Sequence, residues 1–412
     1  MGFYTMYKSS PKGTKMNYEL IIEDISTEGD GIGRIDGRVA FVPGTYPGDK
    51  VSVSIAEDKG RFFKCRLLEI LEPSKDRVRP ACSHAKACGG CPLMGLSYDA
   101  QLAWKQRHVT DCLTRIAGLT EPVVRPILSS GKTLRYRNKA EFVLQGNKAG
   151  YYSRGSHKLV EIDDCPIQHK LAIDALHQTL AETKPTQKYF TRLVIRTSAD
   201  GDVMVIKQHD DGEGTASCCI LKDRIVTDAC TLKTEVSPLS FYQVNPEGCT
   251  ILYSKVQEYA ALTGTEKVLD LYCGAGSIGL SLAGSCERVI GVEVVRPAFV
   301  DANRNAAING IANATFVCGK AEEVIDTKLQ GVKADLVIVD PPRSGCAKSL
   351  LEAIGRIAPK KLIYVSCNPA TLARDLKILT DAGFEFKEAT PVDMFPQTVH
   401  CETVALMSGK NK

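Results

Sequence analysis

Near its C-terminal end the chain carries a cysteine and a carboxylate whose surroundings suit chemistry. In YVSCNPATLARDL, Cys367 follows an apolar, β-prone run and precedes a helical pattern. Pro369 fits the first turn of that helix, and helix N-termini favour thiolates. Asn368 is placed to orient the thiol. In HCETVALM, Glu402 opens a further β-prone run and shares a strand face with Val404, so a carboxylate stands among apolar neighbours. Taken alone, Cys367 reads as a buried structural thiol and Glu402 as an exposed strand residue. Taken together, they read as a nucleophile and a proton acceptor.

A glycine turn supplies a ligand site for that pair. VLDLYCGAGSIGL sets Gly274, Gly276 and Gly279 between a strand and a helix. Backbone can approach a ligand there, and the helix start offers free N–H groups. Glu293 lies near the end of the next strand, about 20 residues on, where an acid can bridge a ribose diol. The G-x-G-x-x-G spacing keeps a dinucleotide open. Asp340, Pro341 and Pro342 after a later strand favour S-adenosylmethionine instead. Two prolines fix an extended turn and leave carbonyls free to face a substrate beside a methyl donor.

Four of the sixteen cysteines form a second group. Cys82, Cys88 and Cys91 have the spacing C-x5-C-x2-C, and Cys165 stands before a proline in EIDDCPIQHK. Four thiolates suit a [4Fe–4S] cluster or a zinc ion, and the spacing leaves both open.

These residues need elements to hold them. At 412 residues the chain is about three times a common domain length, which implies two or three domains. It is 44% hydrophobic and 24% charged, which excludes a mainly disordered or collagen-like chain. A net charge of +4 neither requires nor opposes a nucleic-acid partner. There is no apolar run of ~18 residues and no apolar N-terminal core, so a cytoplasmic protein without a membrane partner is expected. Residues 1–15 read as a loose polar tail. Residues 16–73 show short β-prone runs broken by glycine, the pattern of an OB-like barrel. Residues 74–93 and 127–240 read as a β-rich central domain holding the cysteine loop. Residues 94–126 and 241–412 read as a third domain. Strands and helices alternate from Glu266 onward, which means a doubly wound, largely parallel sheet. Arg125 through Lys139 carries five basic residues and no acidic one, either a solvated edge or a phosphate-contacting patch.

At these motifs the sequence resembles the RNA (uracil-5-)-methyltransferase family. The resemblance runs through a TRAM barrel, the cysteine loop, FYQVNPE, DLYCGAGSIGL, DPPRSGC, SCNPATLARDL and HCETVALM, the last four in family order. It implies three parts: an N-terminal OB-like TRAM barrel, a β-rich central domain with a four-cysteine cluster, and a C-terminal Rossmann-like methyltransferase domain. It implies that Cys367 adds to carbon 6 of uracil, which makes carbon 5 nucleophilic, and that Glu402 accepts the carbon-5 proton. It further implies Gln243, Tyr272, Glu293 and Asp340 as S-adenosylmethionine contacts beside Gly274 and Gly276. Phe241 would stack on a flipped uracil and Arg137 would help hold it. Cluster-bearing members share the cysteine spacing, which favours iron–sulfur over zinc. The partner implied is RNA bound by a monomer, 23S ribosomal RNA first and the T-loop uridine of tRNA as the alternative. A non-catalytic RNA-binding factor is opposed by the intact Cys367 and Glu402. Amino-methyltransferases place an aromatic residue, and RNA cytosine-5 enzymes a cysteine, where this chain has Arg343.

Overall fold

The computed structural model describes residues 17–182, 190–209, 214–238 and 240–409. The tail expected at 1–15 lies outside the described residues. The strands Asn17–Ile21, Asp24–Ile25, Asp30–Ile35, Arg38–Pro43, Lys50–Asp58 and Phe62–Glu72 form one six-stranded sheet. Its inward side is apolar, with Leu20, Ile35, Val42, Val51 and Val53 buried, as the period-two pattern requires.

A second six-stranded sheet occupies the middle of the chain, with strands at Lys139–Gln145, Lys148–Tyr152, Leu159–Glu161, Arg192–Thr197, Val203–Gln208 and Gly214–Ala216. The helix Lys170–Glu182 covers one side of it, burying Ile173 and Leu176 against Phe142, Leu193 and Ile195. The Ala-Asp-Gly-Asp step joins two of its strands as a hairpin, with Thr197 opposite Val203. The hairpin Leu221–Val226 and Thr231–Val236 joins two cores: Leu221 packs with Val194, Met204 and Ile206 of the central sheet, while Ile225, Leu232 and Val236 enter the C-terminal core. Its alternating apolar face finds cover there, and Asn305 and Asn309 accept hydrogen bonds from the backbone of Glu235 and Lys233.

The C-terminal sheet has seven strands: β1 (Lys267–Leu271), β2 (Arg288–Glu293), β3 (Ala314–Cys318), β4 (Leu336–Val339), β5 (Lys361–Ser366), β6 (Glu385–Val392) and β7 (Glu402–Ser408). Their order is β3-β2-β1-β4-β5-β7-β6. The first five are parallel, and β7 runs antiparallel to both β5 and β6. The four residues of β4 are all buried, as a strand covered on both faces requires. The helices are α1 (Tyr98–Arg115), α2 (Pro246–Ala260), α3 (Ser277–Leu282), α4 (Arg296–Ile308), α5 (Ala321–Asp326), α6 (Lys348–Ile357) and α7 (Pro369–Asp381). Val109, Leu113, Leu350, Ile354, Leu372 and Leu376 of α1, α6 and α7 fill one face of the sheet. Leu252, Val256, Ile278 and Leu280 of α2 and α3 fill the other. Strand order reverses between β1 and β4, which opens a crevice at their carboxyl ends. Among the described residues, no helix is long and apolar enough to cross a membrane.

The segment between β6 and β7 is fixed from α1. Lys105 Nζ lies 2.6 Å from Asp393 Oδ1, and both side chains are fully buried. Lys105 also donates to the Phe395 carbonyl at 3.0 Å, and Tyr98 donates to Asp393 Oδ2 at 2.7 Å. Gln101 and Gln397 exchange two hydrogen bonds of 3.0 Å. Removing one partner of a buried ion pair strands the other charge, at a cost of about 3–5 kcal/mol. Lys105→Met should therefore lower the urea midpoint strongly, and Lys105→Met/Asp393→Leu should recover much of the loss. A single variant as stable as the parent in equilibrium unfolding would contradict this.

Candidate active site

Three strand ends converge on one cluster. Cys367 directly follows β5, Asp340 directly follows β4, and Glu402 opens β7. Ser366 pairs with Thr403, so the residues on either side of that pair, Cys367 and Glu402, become neighbours. Asn368 caps α7, its Oδ1 accepting the Ala370 N–H at 3.1 Å while its Nδ2 donates to the Arg343 carbonyl at 3.3 Å.

The charges in this cluster differ from the helix-start expectation. Burial pushes the Cys367 thiol up to about 11, and the nearby Glu402 carboxylate adds to the rise. Arg343 opposes this by its charge and by a hydrogen bond to the sulfur. The helix start does not by itself yield a thiolate, and at neutral pH the resting side chain is a thiol. Glu402 is only 6% exposed, and its Oε2 has no hydrogen-bond partner among the described residues. Burial, then the proximity of Asp340, raises its proton affinity, while Arg343 lowers it. Burial raises Asp340 in the same way. Arg343 therefore acts on Cys367 and Glu402 together. In the sequence alone, Arg343 bears only on the exclusion of rival chemistries. The signal available was its position directly after the Asp-Pro-Pro turn.

A cavity of about 680 Å³ opens beside the Asp-Pro-Pro turn, walled by Tyr272, Val294, Ala321, Pro342 and Cys346 but not by Cys367 or Glu402. That volume suits a nucleoside-sized ligand. Tyr272 adopts φ 62°, an uncommon conformation for an aromatic residue, as the chain turns from β1 into the glycine loop. Gly276 is left-handed as well, and a Cβ on it would meet Phe316 at 3.0 Å. Glu293 is anchored at the end of β2, accepting the Gly274 N–H at 2.9 Å and the Val295 N–H at 2.6 Å. Asp270 on β1, missed by the sequence reading, is fully buried and accepts the Gly279 N–H at 2.9 Å. Its Oδ1 has no partner among the described residues. Burial pushes it up to about 7, and the charges of Asp340 and Glu293 add to the rise. Its unpaired buried oxygen among these acids suits a ligand that brings positive charge.

Phe241 is 64% exposed, while Gln243 close by is buried. Asp301 of α4 holds the approach to both, accepting from Ser237 Oγ and Ser240 Oγ at 2.6 Å each. Asn138 Nδ2 donates to the Gln243 carbonyl at 3.2 Å. Arg137 Nε donates to the Lys139 carbonyl at 3.0 Å, and its charge reaches both Cys91 and His400. The other members of the basic run have carboxylate partners. Arg125 pairs with Glu388, Lys132 with Glu247, Arg135 with Asp164 and Lys139 with Glu141. These pairs are solvent-exposed, so each is weak and screened by salt.

Cys82, Cys88 and Cys91 lie on the loop after the first sheet, and Cys165 follows the strand Leu159–Glu161. The four sit near enough that Cys82, Cys88 and Cys165 each raise the proton affinity of Cys91, after burial itself. The Gly90 N–H points at Cys88 sulfur, and the Ile167 and Gln168 N–H groups at Cys165 sulfur. Among the described residues, however, no three Cys, His, Asp or Glu side chains converge into a ready metal-holding group.

Comparison with known proteins agrees with this geometry. The family profile described as tRNA (Uracil-5-)-methyltransferase matches residues 226–410, and that of the TRAM domain matches residues 16–68. An uncharacterized RNA methyltransferase of Halalkalibacterium halodurans is 38% identical, across 95% of this chain and 97% of its own length. One from Caldanaerobacter subterraneus is 40% identical over the same shares. The crystal structure of Pyrococcus abyssi tRNA (uracil-54, C5)-methyltransferase in complex with S-adenosyl-L-homocysteine superposes with a TM-score of 0.75 at 28% identity. It covers 95% of this chain and 100% of that one. With similarity running through barrel, central sheet and strand-end cluster alike, the chain belongs to the RNA (uracil-5-)-methyltransferase family.

Proposed function

We propose that this chain is an S-adenosylmethionine-dependent enzyme that methylates carbon 5 of a uridine in 23S ribosomal RNA, working as a cytoplasmic monomer. The observation that carries the chemistry is the meeting of Cys367, Glu402, Asp340 and Arg343 at one end of the sheet. S-adenosylmethionine, when bound, supplies an electrophilic methyl group. Gln243, Tyr272, Gly274, Gly276, Glu293 and Asp340 would hold it, with the acids of the crevice matching its positive charge. Phe241 and Arg137 would hold the uracil outside its stack.

Cys367 opens the reaction. Its proton leaves to water, its sulfur bonds to carbon 6, and the electron pair of the 5,6 double bond moves through carbon 4 onto the carbonyl oxygen. Carbon 5 is then nucleophilic enough to take a methyl group. Glu402 closes the reaction by accepting the carbon-5 proton. The released pair reforms the double bond and expels the sulfur. A carboxylate with raised proton affinity and a free oxygen is suited to that acceptance.

Cys82, Cys88, Cys91 and Cys165 would hold a [4Fe–4S] cluster. Backbone N–H groups aimed at Cys88 and Cys165 sulfurs, and the mutual proximity of the four, support a thiolate set for one group. Such a cluster would cross-link the loop after the barrel to the central sheet. The TRAM barrel together with this cysteine set favours ribosomal RNA. The similarity to the Pyrococcus abyssi enzyme favours tRNA as the second reading. Mass-spectrometric mapping of 5-methyluridine in a deletion strain decides between them. Loss from 23S RNA is expected, and loss from tRNA alone would overturn the first reading.

Two outcomes follow for the purified protein. Anaerobic preparations should be brown and carry about four irons per chain. Stoichiometric zinc and a colourless protein would refute the cluster. Cys367→Ala should form neither product nor covalent RNA adduct. Glu402→Gln should still add to RNA but eliminate ~100- to 10,000-fold more slowly, leaving a retarded band on a denaturing gel. RNA carrying 5-fluorouridine should trap the parent enzyme in the same way. An adduct from Cys367→Ala would sink the assignment.

A further inference from the structure

One face of α4 lies along the hairpin strand Thr231–Val236 and bonds its backbone at three successive steps. Asn309 Oδ1 accepts the Lys233 N–H at 2.9 Å, Asn305 Oδ1 the Glu235 N–H at 2.7 Å, and Asp301 Oδ2 the Ser237 N–H at 2.8 Å. The acceptors stand four residues apart on the helix and the donors two apart along the chain. Those steps advance by about 6 Å and about 7 Å, so the two elements stay in register. The hairpin forms a sheet of only two strands, and α4 supplies the partner that its open edge lacks.

The strand bonded in this way leads to Phe241. Asp301, fully buried, also accepts from Ser240 Oγ at 2.6 Å, and the Ser240 carbonyl accepts from Arg196 Nη2 at 2.5 Å. On the other side of Phe241, the Tyr242 hydroxyl shares a hydrogen bond of 3.1 Å with Thr234 Oγ1. Buried and bonded neighbours thus present a ring that stays in solvent.

Asn305 has a second partner. Its Nδ2 donates at 3.0 Å to the carbonyl of Ala275, in the middle of the glycine loop. Asn305 is fully buried, and the two bonds fix its amide. Turning the amide over would set its NH2 against the Glu235 N–H and its oxygen against the Ala275 carbonyl. The same helix backs the loop at Gly276, where a Cβ would meet Ala302 at 3.2 Å. One side chain therefore joins the glycine loop to the strand that leads to Phe241.

We propose that Asn305 is a positioning residue that couples the two substrate sites, so that filling the glycine loop with the methyl donor steadies the Phe241 segment for RNA. The proposal rests on the reading of that loop as the S-adenosylmethionine site and of Phe241 as an RNA contact. Ordering one end of a buried hydrogen-bonded link lowers the entropy cost of ordering the other. The coupling is reciprocal, so RNA should favour donor binding by the same factor.

The test is hydrogen exchange at the Ser237 amide in the full-length protein, without RNA and with S-adenosylhomocysteine as the probe. That amide is bonded to Asp301, so substitution at 305 leaves its own acceptor in place. In the parent, saturating S-adenosylhomocysteine should slow its exchange at least about fivefold, the low end of ordinary coupling between sites. Asn305→Leu should still bind S-adenosylhomocysteine in calorimetry but lose the slowing. Asn309→Ala loosens the same strand, yet the Asn309 bonds run only to Lys233 and to its own helix, so this variant should keep the slowing. Should Asn305→Leu fold poorly, Asn305→Ala gives the same contrast without added bulk. Equal slowing in the Asn305 variants would mean that the signal runs through Gln243, and it overturns the proposal, as does a parent Ser237 amide that ignores the ligand. Affinity for the RNA whose 5-methyluridine the deletion strain lacks, 23S or transfer RNA, should rise with S-adenosylhomocysteine in the parent and in Asn309→Ala but not in Asn305→Leu. A parent that binds no S-adenosylhomocysteine overturns the donor-site reading and the proposal with it. Slowing without any gain in RNA affinity counts against Phe241 as the RNA contact and leaves the link through Asn305 standing.

Discussion

Ser366 faces Thr403 where β7 runs antiparallel between β5 and β6. Five parallel strands would leave the end of β5 with only Asp340, from β4, beside it. An antiparallel strand arrives from the other direction, so its first residue stands at the carboxyl end of its neighbours. That is how Glu402 reaches Cys367 across 35 residues of sequence. The register cannot slip, because a one-residue shift would turn every side chain of β7 to the opposite face. Strands on both sides also bury β7, so the carboxylate is desolvated by the same pairing that delivers it. Its raised proton affinity is thus a consequence of topology.

The segment that leads into β7 depends on contacts from far upstream. Lys105, Gln101 and Tyr98 on α1 meet Asp393, Phe395 and Gln397, nearly 300 residues later. The same stretch of chain reaches the TRAM barrel, where Trp104 donates to Asp24 at 3.0 Å and Tyr46 donates to the Pro92 carbonyl at 3.1 Å. On the far side of the cysteine loop, Arg154 meets Asp30 of the barrel at 3.0 Å. Barrel, cysteine loop and the strand-end cluster are therefore linked by polar contacts.

Acids gather where stability alone would not put them. Asp270, Glu293, Asp340 and Glu402 lie near one another at the strand ends, and Asp270 and Glu402 each keep a buried oxygen without a partner among the described residues. Such oxygens are costly to leave unsatisfied, and they cluster where ligands bind. Arg343 is the cation that acts on Glu402 and Cys367 together.

Local residue patterns were enough to foretell the elements and to single out Cys367 and Glu402 as candidates. Strand and helix periods predicted the alternating C-terminal half, and the contexts of Cys367 and Glu402 marked both as more than core residues. Glycine and Asp-Pro-Pro turns marked the ligand edge, because turn chemistry is written in local residue types. Tertiary structure alone decided the charge states. Helix-start reasoning predicted a thiolate at Cys367, but burial and Glu402 outweigh it, and desolvation depends on packing from distant segments. It decided that the basic run meets carboxylates, since Glu388, Asp164 and Glu247 lie far away in sequence. It shared the hairpin at 221–236 between the central sheet and the C-terminal core, because an apolar strand face does not say which neighbour will cover it.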